Sequence, residues 1–172
     1  MPGRISFSVF ILLLFSIFVN GCSETAPSSP AVSNQQSEID SLRKIINDMK
    51  PGLGELMLGI QTHHAKLWFA GKNENWKLAN FEMDEIRELI ETAQKIETDR
   101  KEISSLPMIF PALDSLAFSI NNRNEKLFEN DFLMLTNACN ACHTKTNFEF
   151  NVITVPTSPP VKNQDFSVPS TK

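Results

Sequence analysis

Apolar residues recur at intervals of three and four in four successive stretches, each closed by a short polar break. That spacing follows one face of an α-helix and is incompatible with the strict alternation of a half-buried strand. Leu53, Met57, Ile60, His64, Leu67 and Gly71 form the first stripe. Pro51 suits its first turn, where a missing N–H leaves no bond unmade, and Gly71 with Asn73 stops it. Trp76, Ala79, Met83, Ile86, Ile90 and Ala93 form the second, which ends before Thr98-Asp99, with Glu82, Glu85, Glu88 and Glu91 as mostly its solvated face. A shorter third runs from about Phe110, with Pro111 near its start, through Leu113, Leu116, Ala117 and Ile120 to Asn121-Asn122. Phe128, Phe132, Leu135, Cys139 and Cys142 share a face of the fourth. Short connections make successive helices antiparallel neighbours, so the expected fold is all-α: an antiparallel up-down-up-down four-helix bundle. Ser37 to Met49, with Ile39, Leu42, Ile45 and Ile46, adds a lead-in helix or N-terminal extension. Only Phe148 to Val152 alternates, which predicts a short extended flap over 148–153 with both Phe rings turned inward.

The two ends differ from this pattern. Arg4 and the amino terminus precede an apolar run from Ile5 to Val19, about fifteen residues and too short to span a bilayer as a mature helix. Residues 1–21 therefore read as a lipoprotein signal peptide. Val19-Asn20-Gly21-Cys22 resembles a bacterial lipobox, which implies lipid on Cys22. The competing reading is an ordinary signal peptide cleaved nearby, with Cys22 incidental. Residues 22–36, rich in Ser, Pro and Ala, read as a flexible tether, since little there could offset its ordering entropy. Residues 156–172 carry Pro156, Pro159, Pro160 and Pro169 without helical period and are expected to be disordered. The domain proper is then 37–155. Lipidation after export implies the bacterial cell envelope, with the chain lipid-anchored and facing the periplasm. Acids outnumber bases 20 to 16, which argues against nucleic acid as a partner.

The chemistry sits in Cys139-Asn140-Ala141-Cys142-His143. Cys-x-x-Cys-His is the pattern of c-type haem attachment. On a helix, thiols at i and i+3 point the same way and can bond the two vinyl groups of one porphyrin. The next residue, His143, can then turn its imidazole under the iron as proximal ligand. A thioredoxin-like redox pair would need a strand before it, and helix precedes this motif. A disulfide across the two intervening residues would leave His143 without a role. A zinc site would need a second ligand pair, and His63 and His64, being adjacent, point in different directions from a helix.

A Cys-x-x-Cys-His motif closing the last helix of a four-helix bundle resembles the cytochrome c-prime and cytochrome b562 group, over about Pro51 to Thr146. The Pro51-Gly52-Leu53-Gly54 start and the stretch His63 to Gly71 also look like small haem lipoproteins of bacteria. The common small cytochrome c fold is excluded, because its methionine ligand follows the motif and every methionine here precedes His143. In an antiparallel bundle the end of the last helix lies level with the start of the first. Met57 is there, on the inward stripe, and is the expected distal ligand; the resemblance to cytochrome b562, with its distal methionine on the first helix, points the same way. The alternative for Met57 is ordinary core packing. Met108 is at the correct level in a loop-like context, Met83 at the opposite end, Met134 on the motif's own helix, and Met49 before Pro51. His64, seven residues beyond Met57 and about 10 Å along the axis, should miss the iron. It reads as a core histidine bonded to a glutamate or carbonyl. Leu53, Leu56, Ile60, Phe132, Leu135 and Phe148 are expected to pack on the cofactor.

The expected protein is a c-type monohaem cytochrome with one covalent haem c, passing single electrons to and from a redox partner protein. No base or nucleophile accompanies the motif, so no enzyme is expected. An iron left open opposite His143 would instead make it a haem protein that binds or senses NO or CO. A helical lipoprotein without haem, its cysteines joined as a disulfide, is the third reading.

Overall fold

The structure, a computed structural model, describes residues 30–170. The signal segment 1–21, Cys22 and the first part of the tether lie outside the described residues. Those described are all-helical, with no strand among them: α1 Pro30–Met49, α2 Leu53–Lys72, α3 Trp76–Ile96, α4 Phe110–Asn121 and α5 Glu125–Lys145, with a 3-10 stretch Lys101–Ile109 running straight into α4. The chain divides into two compact units, one ending at Asp48 and the other running from Met49 onward.

The first unit holds nearly all of α1, and it corrects one expectation. The helix starts at Pro30, well inside the stretch read as tether, because Val32 extends the stripe of Ile39, Leu42 and Ile46 back over a polar segment. Pro30 is tolerated at a helix start. The bundle therefore begins near Met49 and not at residue 37.

In the second unit, α2 to α5 and the 3-10 stretch pack around one core. Leu67, Ile86, Leu113, Leu116, Phe128, Phe132 and Leu135 are fully buried within it. Gly71 allows α2 its close approach to α5, since a Cβ there would overlap the Phe128 ring. The 3-10 stretch went unforeseen: Pro107 forbids regular α-helical bonding, yet Leu106 and Ile109 still face the core. By length and composition Lys101–Asn121 could cross a membrane, but Leu106, Ile109, Leu113, Leu116 and Ile120 are bundle core.

Three helices end alike. Glu74, Arg123 and Asn147 take left-handed backbone, with φ of 53°, 50° and 65°. After each, the next amide reaches back to a carbonyl in the last turn: Asn75 to Ala70, Asn124 to Ser119, and Phe148 to His143. This six-to-one bond closes a helix and usually recruits glycine. Here it uses Glu, Arg and Asn, so composition did not mark it.

Two further expectations fail beyond α5. Residues 148–153 form turns and not a strand, and only Phe148 is turned in; Phe150 is 78% exposed. The tail from residue 156, expected to be disordered, lies along the bundle. Phe166 is buried with its ring 5.8 Å from that of Phe69, and Asn75 Nδ2 donates to the Ser167 carbonyl at 2.9 Å. Helical period is blind to such a strap, which needs one aromatic anchor and a few bonds.

Candidate functional site

A cavity of about 360 Å³ opens between α2, α5, the 3-10 stretch and the turns after α5. That is the size of a small-molecule or cofactor site. Met57 and His64 reach it from α2, and Cys139, Cys142 and His143 from α5, with Leu106, Ile109 and Ile153 among its apolar walls. Cys139, Cys142 and His143 thus border the same cavity as the methionine singled out on α2. Among the described residues Met57 is the one methionine lining the cavity; Met83 is core, and Met49, Met108 and Met134 are exposed. Of the six residues expected to pack on a cofactor, Leu53, Ile60 and Phe148 line the cavity, whereas Leu56, Phe132 and Leu135 are core outside it.

Cys139 and Cys142, one turn apart, are free thiols. Burial, with a smaller push from Cys142, moves the Cys139 thiol up to about 12. Burial raises Cys142 as well, so both are neutral at pH 7.

The turns after α5 hold the third motif residue. Asn147 reverses the chain, and Asn140 clasps the returning strand of backbone: its Nδ2 donates to the Ile153 carbonyl and its Oδ1 accepts from the Ile153 amide, each at 2.8 Å. This brings the Asn151 carbonyl 2.6 Å from His143 Nδ1. A carbonyl only accepts, so Nδ1 carries a hydrogen and Nε2 is the nitrogen left to ligate. Metal-binding histidines are oriented in this way, one nitrogen bonded to a carbonyl and the other free to ligate. Asn140 and Asn151 were not foreseen, because a bond from a side chain to backbone eight or more residues away leaves no local pattern.

Side-chain contacts give the register of α2 on α5. Lys72 pairs with Glu125 and Glu129, Trp68 packs on Phe132 with centroids 4.8 Å apart, and His64 bonds Thr136. Positions fall along α2 as they rise along α5. Met57 precedes His64 by seven residues and His143 follows Thr136 by seven, so equal rises of about 10 Å bring both to one level.

His64 lies deeper. Thr136 Oγ1 donates to the Phe132 carbonyl at 2.9 Å, so its oxygen accepts from His64 Nε2–H, also at 2.9 Å. The expected partner was a glutamate or carbonyl; a hydroxyl takes that place. Burial lowers the His64 pKa to about 4. The folded chain thus resists a proton that the unfolded chain accepts below about 6.5. Stability contributed by this group is complete above pH 6.5 and declines as pH falls toward 4, by on the order of 3 kcal/mol. Urea titrations at pH 7 and 4.5 should show this loss, and His64→Gln should lessen it; an equal loss in the variant would assign it to other groups.

His63 points elsewhere. Its Nδ1 is 2.6 Å from Glu82 Oε2 and its Nε2 3.8 Å from Glu85. Glu82 is fully buried, which corrects its reading as solvated face: it sits where His63 and Lys66 reach it from α2. No cluster of three or more His, Cys, Asp or Glu suited to a metal ion occurs among the described residues. Arg100 and Glu102, also unforeseen, give the cavity a polar edge, with Nε to Oε2 at 3.6 Å.

Comparison with protein-family models, with curated proteins and with solved structures finds no match to this chain.

Proposed function

We propose that this chain is a c-type monohaem cytochrome that carries single electrons, built as an antiparallel up-down-up-down four-helix bundle of α2 to α5. One observation carries the reading. Two free thiols, an imidazole whose Nδ1 is tied to Asn151, and the thioether of Met57 at the imidazole's level all border one cavity. The donor set fits haem c: Cys139 and Cys142 for the two thioether bonds, His143 Nε2 for the proximal side and Met57 Sδ for the distal side. When bound, haem would supply a one-electron iron couple, whose potential a methionine ligand would raise. The chain's part is to hold both axial groups in place, keep water out with Leu106, Ile109 and Ile153, and offer Arg100 to the cofactor's carboxylates. Were His143 and Met57 both to ligate the iron, no position would be left for a substrate, which favours a carrier over an enzyme.

The same proposal covers the ends. The 1–21 signal and the lipobox-like Val19 to Cys22 support export and lipid anchoring on Cys22, with the bundle facing the periplasm and meeting a redox partner protein there.

Met57→Leu tests the distal side. Leucine replaces methionine at nearly equal volume and little cost in stability. The haem-loaded variant is expected to lose the weak ferric charge-transfer band of methionine-ligated iron, turn high-spin and fall in potential. An unchanged ferric spectrum, with ready CO uptake by the unaltered protein, would replace the carrier with a five-coordinate protein that binds diatomic gas.

A further inference from the structure

Helix α1 carries an exposed apolar stripe: Val32, Ile39, Leu42, Ile46 and Met49 are each 43% to 78% exposed. Their spacing is seven, three, four and three residues, the a and d positions of a heptad. Position a holds Val32, Ile39 and Ile46, all β-branched, while Leu42 and Met49 occupy d after Gln35. β-branched residues at a with leucine at d favour parallel two-stranded coiled coils. We propose that α1 zips in parallel with α1 of a second copy of this chain.

The flanking charges choose this occupant and this direction. Among the charged residues of α1, Glu38 holds position g and Arg43 position e. In a parallel pair, g of one helix faces the following e of the other, which sets Glu38 beside Arg43 twice, once on each side. An antiparallel pair sets e against e and g against g, and so parts Glu38 from Arg43. Within its own chain Glu38 has no ion pair among the described residues, while Arg43 holds Asp40 at 3.2 Å on the outer side. A membrane surface suits the helix less well. Its polar face mixes Asp40 and Asp48 with Arg43 and Lys44, where a surface-lying helix is rich in cations. Twenty residues give just under three heptads, a short zipper that association on a common surface would strengthen. Cys22 lies eight residues before Pro30, so lipid on both chains would start both helices from one plane. That last support alone rests on the anchoring proposed above.

The test traps the dimer in cells that make the full chain. Leu42→Cys puts a thiol at d, where paired Cα atoms in a parallel zipper come within disulfide reach; Asp40→Cys puts one on the outer face. After mild oxidation, Leu42→Cys is expected to give a disulfide-linked dimer on a non-reducing gel, well above both Asp40→Cys and the unaltered chain. In the Leu42→Cys background, Glu38→Arg or Arg43→Glu alone should cut the dimer about fivefold by setting like charges together. The double swap, or co-expression of the two single swaps, should restore it. Equal cross-linking at positions 40 and 42, no dimer at either, or indifference to the swaps would overturn the proposal. Haem content is read on the same samples and does not enter the result, so failure here and failure of the cytochrome reading are told apart.

Discussion

Phe132→Ala is expected to destabilise the bundle by about 3–5 kcal/mol, as loss of a fully enclosed aromatic ring does. The ring is completely buried and joins three others, with centroids 4.4 Å from His64, 4.8 Å from Trp68 and 6.1 Å from Phe128. These partners come from both α2 and α5, so the cavity left by alanine cannot close by shifting one helix. A domain's whole stability is about 5–15 kcal/mol, so the variant should keep only part of its cooperative transition. Its melting temperature should fall by about 6–20 °C, at 2–4 °C per kcal/mol for a chain of this size. Phe118→Ala is the control: that ring is 63% exposed, and its loss should stay within about 0.5 kcal/mol. Urea unfolding of both variants beside the unaltered chain decides the matter. A loss below about 1 kcal/mol at position 132 would mean that α2 and α5 do not share this aromatic core.

The second large effect concerns the cofactor. A chain with Cys139→Ser and Cys142→Ser, passed through haem-attachment machinery, is expected to carry no covalent haem while keeping its helical circular dichroism. Each cysteine thiol would add across a vinyl group, forming one carbon–sulfur bond while its proton moves to the neighbouring carbon. A serine hydroxyl has no such reactivity. Neither sulfur bonds another residue here, so the bundle loses no cross-link with them. Single variants should retain one bond. Undiminished covalent haem in the double variant would remove the motif from the cofactor's attachment, and loss of helix would make the cysteines structural.

Much of the bundle was legible because its information is local. Each helix carries its own stripe and its own stop, so Trp76–Ile96, Phe110–Asn121 and Glu125–Lys145 emerge close to where spacing and polar breaks place them. Met57 stood out among six methionines by its level and its place on the inward stripe, and it lines the cavity. What stayed hidden is non-local or lacks its usual residue. Glu74, Arg123 and Asn147 adopt the turn conformation that glycine normally announces. The Phe166 anchor joins residues nearly a hundred positions apart, and periodicity has no access to that distance. The support of His143 was invisible for the same reason: Asn140 looks like a filler position of the motif, yet it clasps Ile153 and so brings the Asn151 carbonyl to the imidazole. Glu82 misled because a glutamate on a charged helix is usually solvated, and only packing reveals the histidine and lysine that enclose it.

The most direct test of the cytochrome reading is a pyridine haemochrome spectrum of the unaltered chain, matured with haem-attachment machinery and extracted with acidified acetone to strip any haem not covalently bound. One c-type haem per chain, remaining with the protein after extraction, is the predicted result. A colourless chain, or haem that leaves entirely with the solvent, would contradict it and leave Cys139, Cys142 and His143 without the cofactor proposed for them.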